Sequence, residues 1–356
     1  MANNRVSLGC EQTRGAFRLA GKVTGTLSQN FYTDGMSRNG KPWRKLHFGV
    51  ETEPGKVVYV DLFGAAQDNC YISKTTNVGG KNLTDTVSSP WADRMDYWKK
   101  NPKLKDYRMI GITCGVERRI DPKTGKEVNN VKHLHAYDAC DEIAKLNDGD
   151  DVFLRGNITY STYNGQHRVN FEPVQVSLCR PIDFDAADFE PTAFFEQNIV
   201  LMGVTKSETP GEAIISAKIV NYSTIEDTEL YTKNMRLANA LNRLKRKEYV
   251  FITVYGDIVV ETGVQPVTEE SDFGGPNPMR RVSSMGVRKL MVSGAEEESI
   301  DYEAYSEEVI EHAMEVAANL QRAKDDYGDE SDFGSKPKKR DIFIMQEEDD
   351  EIDFGN

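Results

Sequence analysis

What most limits the fold of this chain is a segment order that occurs twice: strands, then a helix, then more strands. In the first half, residues 16–26 (AFRLAGKVTGT) alternate between apolar and polar positions and are broken by glycines, as strands are where they bend around a small closed sheet. Residues 43–51 and 56–63 flank Glu-Pro-Gly at 53–55, a turn signal that makes them a hairpin. Residues 110–118 and 127–135 flank DPKTGK and predict a second hairpin. A short helix over 135–146 places Ala136, Ala139, Cys140, Ile143 and Leu146 on one face. Strands over 151–162 and 166–178 follow, joined across Asn164–Gly165, a preferred hairpin turn pair.

The second half repeats the order. Residues 198–204, 212–222 and 228–231 read as strands, and 233–247 as a helix with Met235, Ala238, Leu241 and Leu244 at helical spacing. Residues 248–261 predict a strand or bent strand pair, and 287–292 a returning strand after a polar loop. An amphipathic helix over 301–323 carries the stripe Tyr305, Val309, Ala313, Val316 and Leu320. A helix between the third and fourth strands of a five-stranded set is the order of the oligonucleotide-binding (OB) fold. The expected fold class is therefore mainly β: two tandem OB-like barrels, each with a helix, plus a C-terminal helix and a disordered acidic tail. An immunoglobulin-like sandwich is the rival, and a helix inside both halves fits it poorly. The expected units are 1–180, with an insertion at 74–133, then 190–324, then the tail at 325–356.

Charge divides along the same lines. The 356-residue chain has a net charge of −13. Residues 1–180 hold 26 lysines and arginines against 20 acids, a net of +6, whereas 181–324 hold 14 against 25 and 325–356 hold 4 against 12. A basic front unit suits a polyanionic partner. The opening residues, MANNRVSLGCEQTRGAF, have no apolar run like a signal peptide, and no stretch approaches the roughly 20 apolar residues that span a bilayer. A cytoplasmic protein is expected. Five scattered cysteines (Cys10, Cys70, Cys114, Cys140, Cys179) without CxxC spacing read as reduced thiols.

Binding to an unpaired nucleic-acid strand needs cations for phosphates and exposed aromatics on which bases stack. Residues 96–108 (DYWKKNPKLKDYR) interleave Tyr97, Trp98 and Tyr107 with Lys99, Lys100, Lys103, Lys105 and Arg108, and Pro102 marks the stretch as a loop or arm. On the first hairpin, strand alternation puts Trp43, Lys45 and His47 on one face and Arg44, Leu46 and Phe48 on the other, with Tyr59 in the partner strand. One of those faces is core. Tyr160, Tyr163, His167 and Arg168 form a third candidate at the 160–169 hairpin, where Tyr160 serves equally well as a packing residue. Cys114, His133, His135 and Cys140 are metal-ligand types, yet only His133-x-His135 and Cys140 are close in sequence, so packing roles are preferred and no metal or cofactor is expected. No GxxxxGK[ST], GxSxG or HExxH motif is present, and the chain is not expected to be an enzyme.

The stretch 143–178 (IAKLNDGDDVFLRGNITYSTYNGQHRVNFEPVQVSL) resembles the closing part of the bacterial single-stranded DNA-binding protein (SSB) family, with Gly149, Val152, Leu154 and Gly156 matching its glycine turn and following strand. Residues 16–25 are similar to the family's first strand, and the end EEDDEIDFGN resembles its acidic, phenylalanine-bearing tail. The length is closer to a viral or mobile-element SSB. The resemblance implies a protein that coats and protects single-stranded DNA in replication, recombination and repair, without sequence specificity, in the cytoplasm of a bacterial cell, phage-infected cells included. It also implies that Asp349, Asp350, Glu351, Ile352, Asp353 and Phe354 recruit replication or recombination proteins. DFG at Asp272 and Asp332 repeats the tail's motif. The rival reading is an acidic interaction or DNA-mimic protein that regulates a nucleic-acid enzyme. DNA versus RNA, and the oligomeric state, stay open in the sequence.

Overall fold

The computed structural model describes residues 8–163, 166–244, 249–261 and 287–326, and it is mainly β. The expected tail residues Asp349, Asp350, Glu351, Ile352, Asp353 and Phe354, and the DFG motifs at Asp272 and Asp332, lie outside the described residues. Among the described residues no helix is long and apolar enough to cross a membrane.

The front half opens with β1 (Gly15–Thr24), whose alternation buries Phe17, Leu19 and Val23 and turns Arg18 outward. β2 (Tyr32–Met36), β3 (Pro42–Glu53) and β4 (Lys56–Ala65) form an antiparallel meander, β3 and β4 turning at Gly55 with φ 75°. β5 (Asn69–Val78) and β6 (Lys81–Pro90) make a hairpin closed by Gly79 and Gly80, at φ 62° and 81°. Two consecutive left-handed residues are what a tight hairpin turn of the primed type requires, and glycine supplies them at least cost. A short helix α1 (Tyr97–Lys100), flanked by two single 3-10 turns, leads to β7 (Arg108–Met109), which pairs with β5. β8 (Ile112–Gly115) then enters the main sheet, β9 (Arg118–Ile120) and β10 (Glu127–Asn129) form a separate ribbon, and β11 (Lys132–Leu134) pairs with β8. Helix α2 (Ala136–Ile143) precedes the long hairpin of β12 (Asp151–Tyr163) and β13 (Gln166–Leu178).

The second half holds β14 (Thr192–Lys206), β15 (Ala213–Val220), β16 (Ile225–Thr232), α3 (Met235–Leu244), β17 (Val250–Glu261), β18 (Val287–Asp301) and α4 (Glu307–Asp326). Its pairings run β14–β15–β16–β18–β17 and return from β17 to β14, so the five strands close on themselves. The front strands run β4–β3–β1–β12–β13, and β13 takes β8 as its parallel partner at Gln175–Ser177. Pro173, which has no N–H to donate, lies just before that point. The halves are fused through β1 and β14, paired antiparallel from Gly15 opposite Gln197 to Ala20 opposite Thr192. One hydrophobic cluster spans both, from Phe17, Phe48 and Phe171 to Ile199, Ile215 and Leu290. Each such fully buried side chain contributes roughly 1.5–3 kcal/mol relative to exposure.

Helix α2 is seated by both faces. Ala139, Cys140 and Ile143 are buried beneath it, and the His135 ring nitrogen accepts the Tyr137 N–H at 3.2 Å as an N-cap. Gly64 of β4 meets it so closely that an added Cβ would lie 2.1 Å from the Tyr137 nitrogen. On its polar face Arg94 grips Asp138 bidentately (2.7 and 2.9 Å), and Arg44 reaches Asp141 at 2.7 Å.

The structure departs from the sequence expectation in four places. β2 and the β5–β6 hairpin are additional strands. Residues 96–108, expected as a loop or arm, belong to a folded module with its own core of Cys70, Ile72, Tyr97 and Met109. β18 continues through Glu296–Glu298 to Asp301, because these acids face solvent. The last helix starts at Glu307, since the Asp301 carboxylate accepts the N–H groups of Glu303 (2.7 Å) and Ala304 (3.0 Å) in a turn. Tyr305, expected on the helical stripe, is buried in that turn and stacks on Phe251 at 5.2 Å. The N-terminal residues Leu8 and Thr13 pack onto the second half, Thr13 exchanging hydrogen bonds with Val220.

Candidate nucleic-acid interface

The outward face of β3–β4 collects rings. Leu46, Phe48, Val58, Val60 and Leu62 point into the core, so alternation turns Trp43, Lys45 and His47 of β3 and Tyr59, Asp61 and Phe63 of β4 the other way. The register sets Lys45 opposite Phe63, His47 opposite Asp61, and Gly49 opposite Tyr59. Trp43 and Phe63 lie 6.1 Å apart, and His47 stacks on Tyr59 at 5.2 Å with planes 2° apart. Tyr59 is 48% and Phe63 53% exposed. Gly35 of β2 sits beside the indole, where an added Cβ would come within 2.7 Å of the Trp43 ring. Asp61 lies between Lys45 and His47, 3.1 Å from each. The result is a half-exposed aromatic surface with a cation and an imidazole along it.

Arg288 of β18 supports this surface from the second half. Its guanidinium lies 4.4 Å from the Phe171 ring centre and donates to the carbonyls of Tyr59 (3.4 Å) and Val169. Burial pushes its pKa below the usual arginine value. Beside it, where β4 and β13 are not laddered, a cleft of about 260 Å³ is lined by Asp61, Phe63, Asn157, Glu172 and Pro173 among others.

The 96–108 residues sit elsewhere. Tyr97 is 7% exposed, and its hydroxyl donates to the Tyr107 carbonyl at 2.6 Å, so it is core of the inserted module and presents no ring face for stacking. Tyr107 donates its hydroxyl to Asp85. Trp98 is 42% exposed and packs edge-on to Tyr97. Lys99 and Lys100 pair with Asp96 and Asp93, at 3.5 and 2.5 Å, while Lys103, Lys105 and Arg108 are exposed. The module is held against α2 through Arg94 and Asp138.

At the third candidate, Tyr160 is likewise a core residue. It is 6% exposed, its hydroxyl donates to Gln197 at 3.2 Å, and burial raises its pKa. The sequence left packing and binding open for it, and the fusion of the two halves decides for packing. Arg168 is exposed on β13, His167 contacts the Thr162 hydroxyl at 3.0 Å, and the Tyr163 side chain lies outside the described residues. Cys114 and Cys140 are buried in the core, their thiol pKa values pushed up to about 12 by burial, and His135 is spent on capping α2. Phe63 was missed in the sequence. Strand alternation from Tyr59 would have found it.

Solved structures similar to this chain include two of the single-stranded DNA-binding protein from Thermus aquaticus. The wild-type protein is 10% identical, with a TM-score of 0.36 over 80% of this chain and 93% of that one. A deletion mutant is 9% identical, with the same score over 80% and 94%. No curated protein matches the sequence. Residues 20–330, most of the chain, match the YorF family model, and the chain belongs to the YorF family.

Proposed function

We propose that this protein binds single-stranded DNA without sequence preference, through the outward face of β3–β4. The observation that carries the reading is the ring set Trp43, His47, Tyr59 and Phe63, with Tyr59 and Phe63 about half exposed, Trp43 and His47 partly buried and Lys45 among them, on a strand pair whose other face is core. Unpaired bases have free faces to stack on such rings, and bases in a duplex do not. The strand order supports it. Each half is read as an OB-like barrel: the second has the ring β14–β15–β16–β18–β17 with α3 between its third and fourth strands, and the front has β1, β3, β4, then α2, then β12 and β13. In that fold the second and third strands carry the oligonucleotide face, and here these are β3 and β4. The net +6 of residues 1–180 favours a polyanion on this half.

On this reading the protein coats the strand rather than acting on it chemically, as a viral or mobile-element SSB does. Trp98, Lys103, Lys105, Arg108 and Arg168 lie outside the ring set and are assigned to contacts further along a longer strand, Trp98 with a base and the cations with phosphates. The acidic end, Asp349–Phe354, offers a charged peptide with one aromatic to replication or recombination proteins. Lysine and arginine contacts release counterions, so affinity falls steeply with salt.

Titration with poly(dT) at low salt, followed by tryptophan fluorescence, tests the reading. Quenching is expected, and Trp43→Ala and Tyr59→Ala should each weaken binding about 5- to 150-fold, the equivalent of about 1–3 kcal/mol per stacked base. Absence of both quenching and binding by the wild-type chain would overturn it.

A further inference from the structure

A second exposed face lies where the two halves fuse. β1 is the seam strand, with β12 on one side and β14 on the other, and its outward Arg18 stands directly opposite Arg155 of β12 and opposite Phe194 of β14. One strand further, β17 sets Asp257 opposite Phe194 and Tyr255 opposite Glu196. All six side chains are exposed, Phe194 at 46% and Tyr255 at 43%. The Tyr255 ring lies over Gly294 of β18, where an added Cβ would come within 2.5 Å of it. Phe194, Tyr255, Asp257 and Ser293 line a shallow cavity of about 270 Å³.

This arrangement costs stability. Like charges directly opposite each other in a sheet repel. Among the described residues neither Arg18 nor Arg155 has a carboxylate within ion-pair distance to offset that repulsion. Two half-exposed rings sit in the next strands. Paired arginines without acids are a built anion contact, and the flat rings beside them are a stacking contact. From Arg155 to Phe194 is two strand spacings, about 10 Å, so one short stretch of chain covers both. The acids decide what that chain is. Glu196 and Asp257 flank the rings and repel an acidic peptide at the point where its aromatic would dock. A neutral base is not repelled, and its N–H groups, the ring N–H of thymine included, can donate to such carboxylates.

We propose that the seam is a second contact for the same single-stranded nucleic acid, with Arg18 and Arg155 on phosphates and Phe194 and Tyr255 stacking on bases. The proposal rests on the single-strand-binding reading above and adds a second contact surface at the junction of the halves.

The test uses the full chain, a short oligothymidine that one face can hold, and poly(dT). Arg18→Glu and Phe194→Ala should weaken poly(dT) binding about tenfold and leave the short oligomer, held on β3–β4, unchanged. The salt slope for poly(dT) should become shallower by about 0.7 for each phosphate no longer neutralised. Arg18→Glu replaces a like-charge pair with opposite charges, so thermal stability should hold or rise while binding falls; a folding defect would lower both. Seam variants with wild-type poly(dT) affinity and salt slope, alongside a weakened Trp43→Ala, would overturn this proposal and leave the function standing. A wild-type chain that binds neither ligand would instead overturn the function. If a peptide of residues 347–356 displaced poly(dT) from wild type but not from the seam variants, the seam would belong to the tail, and the proposal would fail.

Discussion

His135 has the chemistry of a metal ligand or a surface base, and its position makes it a helix cap. Its ring is buried edge-on to Trp91 at 4.8 Å, and a ring nitrogen accepts the Tyr137 N–H. Burial lowers its pKa, with Asp138 opposing and Arg94 adding to the shift. The imidazole is therefore neutral in the fold at pH values where the unfolded chain is already protonated. The unfolded state then binds more protons, so stability rises with pH in that window. The contribution is complete above about 6.5, the ordinary histidine value, and is lost as pH falls through the lowered folded value. Urea melts from about pH 7 down to about pH 5 should show this loss. His135→Asn keeps a capping acceptor and should flatten the slope. Parallel slopes for variant and wild type would refute the assignment.

At the scale of elements, the inserted module shows how a stretch rich in lysine and aromatics becomes structure. Tyr97 is enclosed by Cys70, Ile72 and Met109, while its neighbour Trp98 is half-exposed. Adjacent aromatics with the same sequence signature thus have opposite roles, because the single turn of α1 points them apart. Tyr97→Ala should destabilise the module by about 3–5 kcal/mol, as large-to-small core changes do. Hydrogen exchange should show this as faster opening of β5–β7. Trp98→Ala should leave that protection unchanged, and equal effects of the two would contradict the placement.

For the whole molecule, the consequence of β1–β14 pairing is that the halves share one sheet and one core. Calorimetry should accordingly record one transition for the described fold, not two. Arg288→Met keeps an apolar stem over Phe171 but removes the donors to the Tyr59 and Val169 carbonyls. Leaving the part-buried Val169 acceptor unpaired costs about 1–3 kcal/mol, whereas water can replace the donor at the exposed Tyr59 contact. The variant should melt lower, still in a single transition, and should weaken single-strand binding through the Tyr59 strand. Two separated transitions would show that the halves fold independently.

Several elements could be read from residues alone, since they depend on local pattern. Alternation located β1, β3, β4, β12 and β13, helical spacing located α2 and α3, and turn residues placed the β3–β4, β9–β10 and β12–β13 hairpins. The double glycine at 79–80 is an equally local signal, and it marks the β5–β6 turn that the sequence expectation lacked. The same alternation separated Trp43, Lys45 and His47 from the core side of β3. Tertiary structure decided what local pattern leaves degenerate. It buried Tyr97 and Tyr160 and exposed Phe63, Phe194 and Tyr255. It also set Arg18 against Arg155, across 137 positions of sequence. Period and turn chemistry are properties of neighbouring residues, and so the sequence by itself determined strands, helices and their order. Which face of a strand meets solvent, and which distant strand lies beside it, depends on how the two halves pack around a shared seam, and only the folded chain determines that.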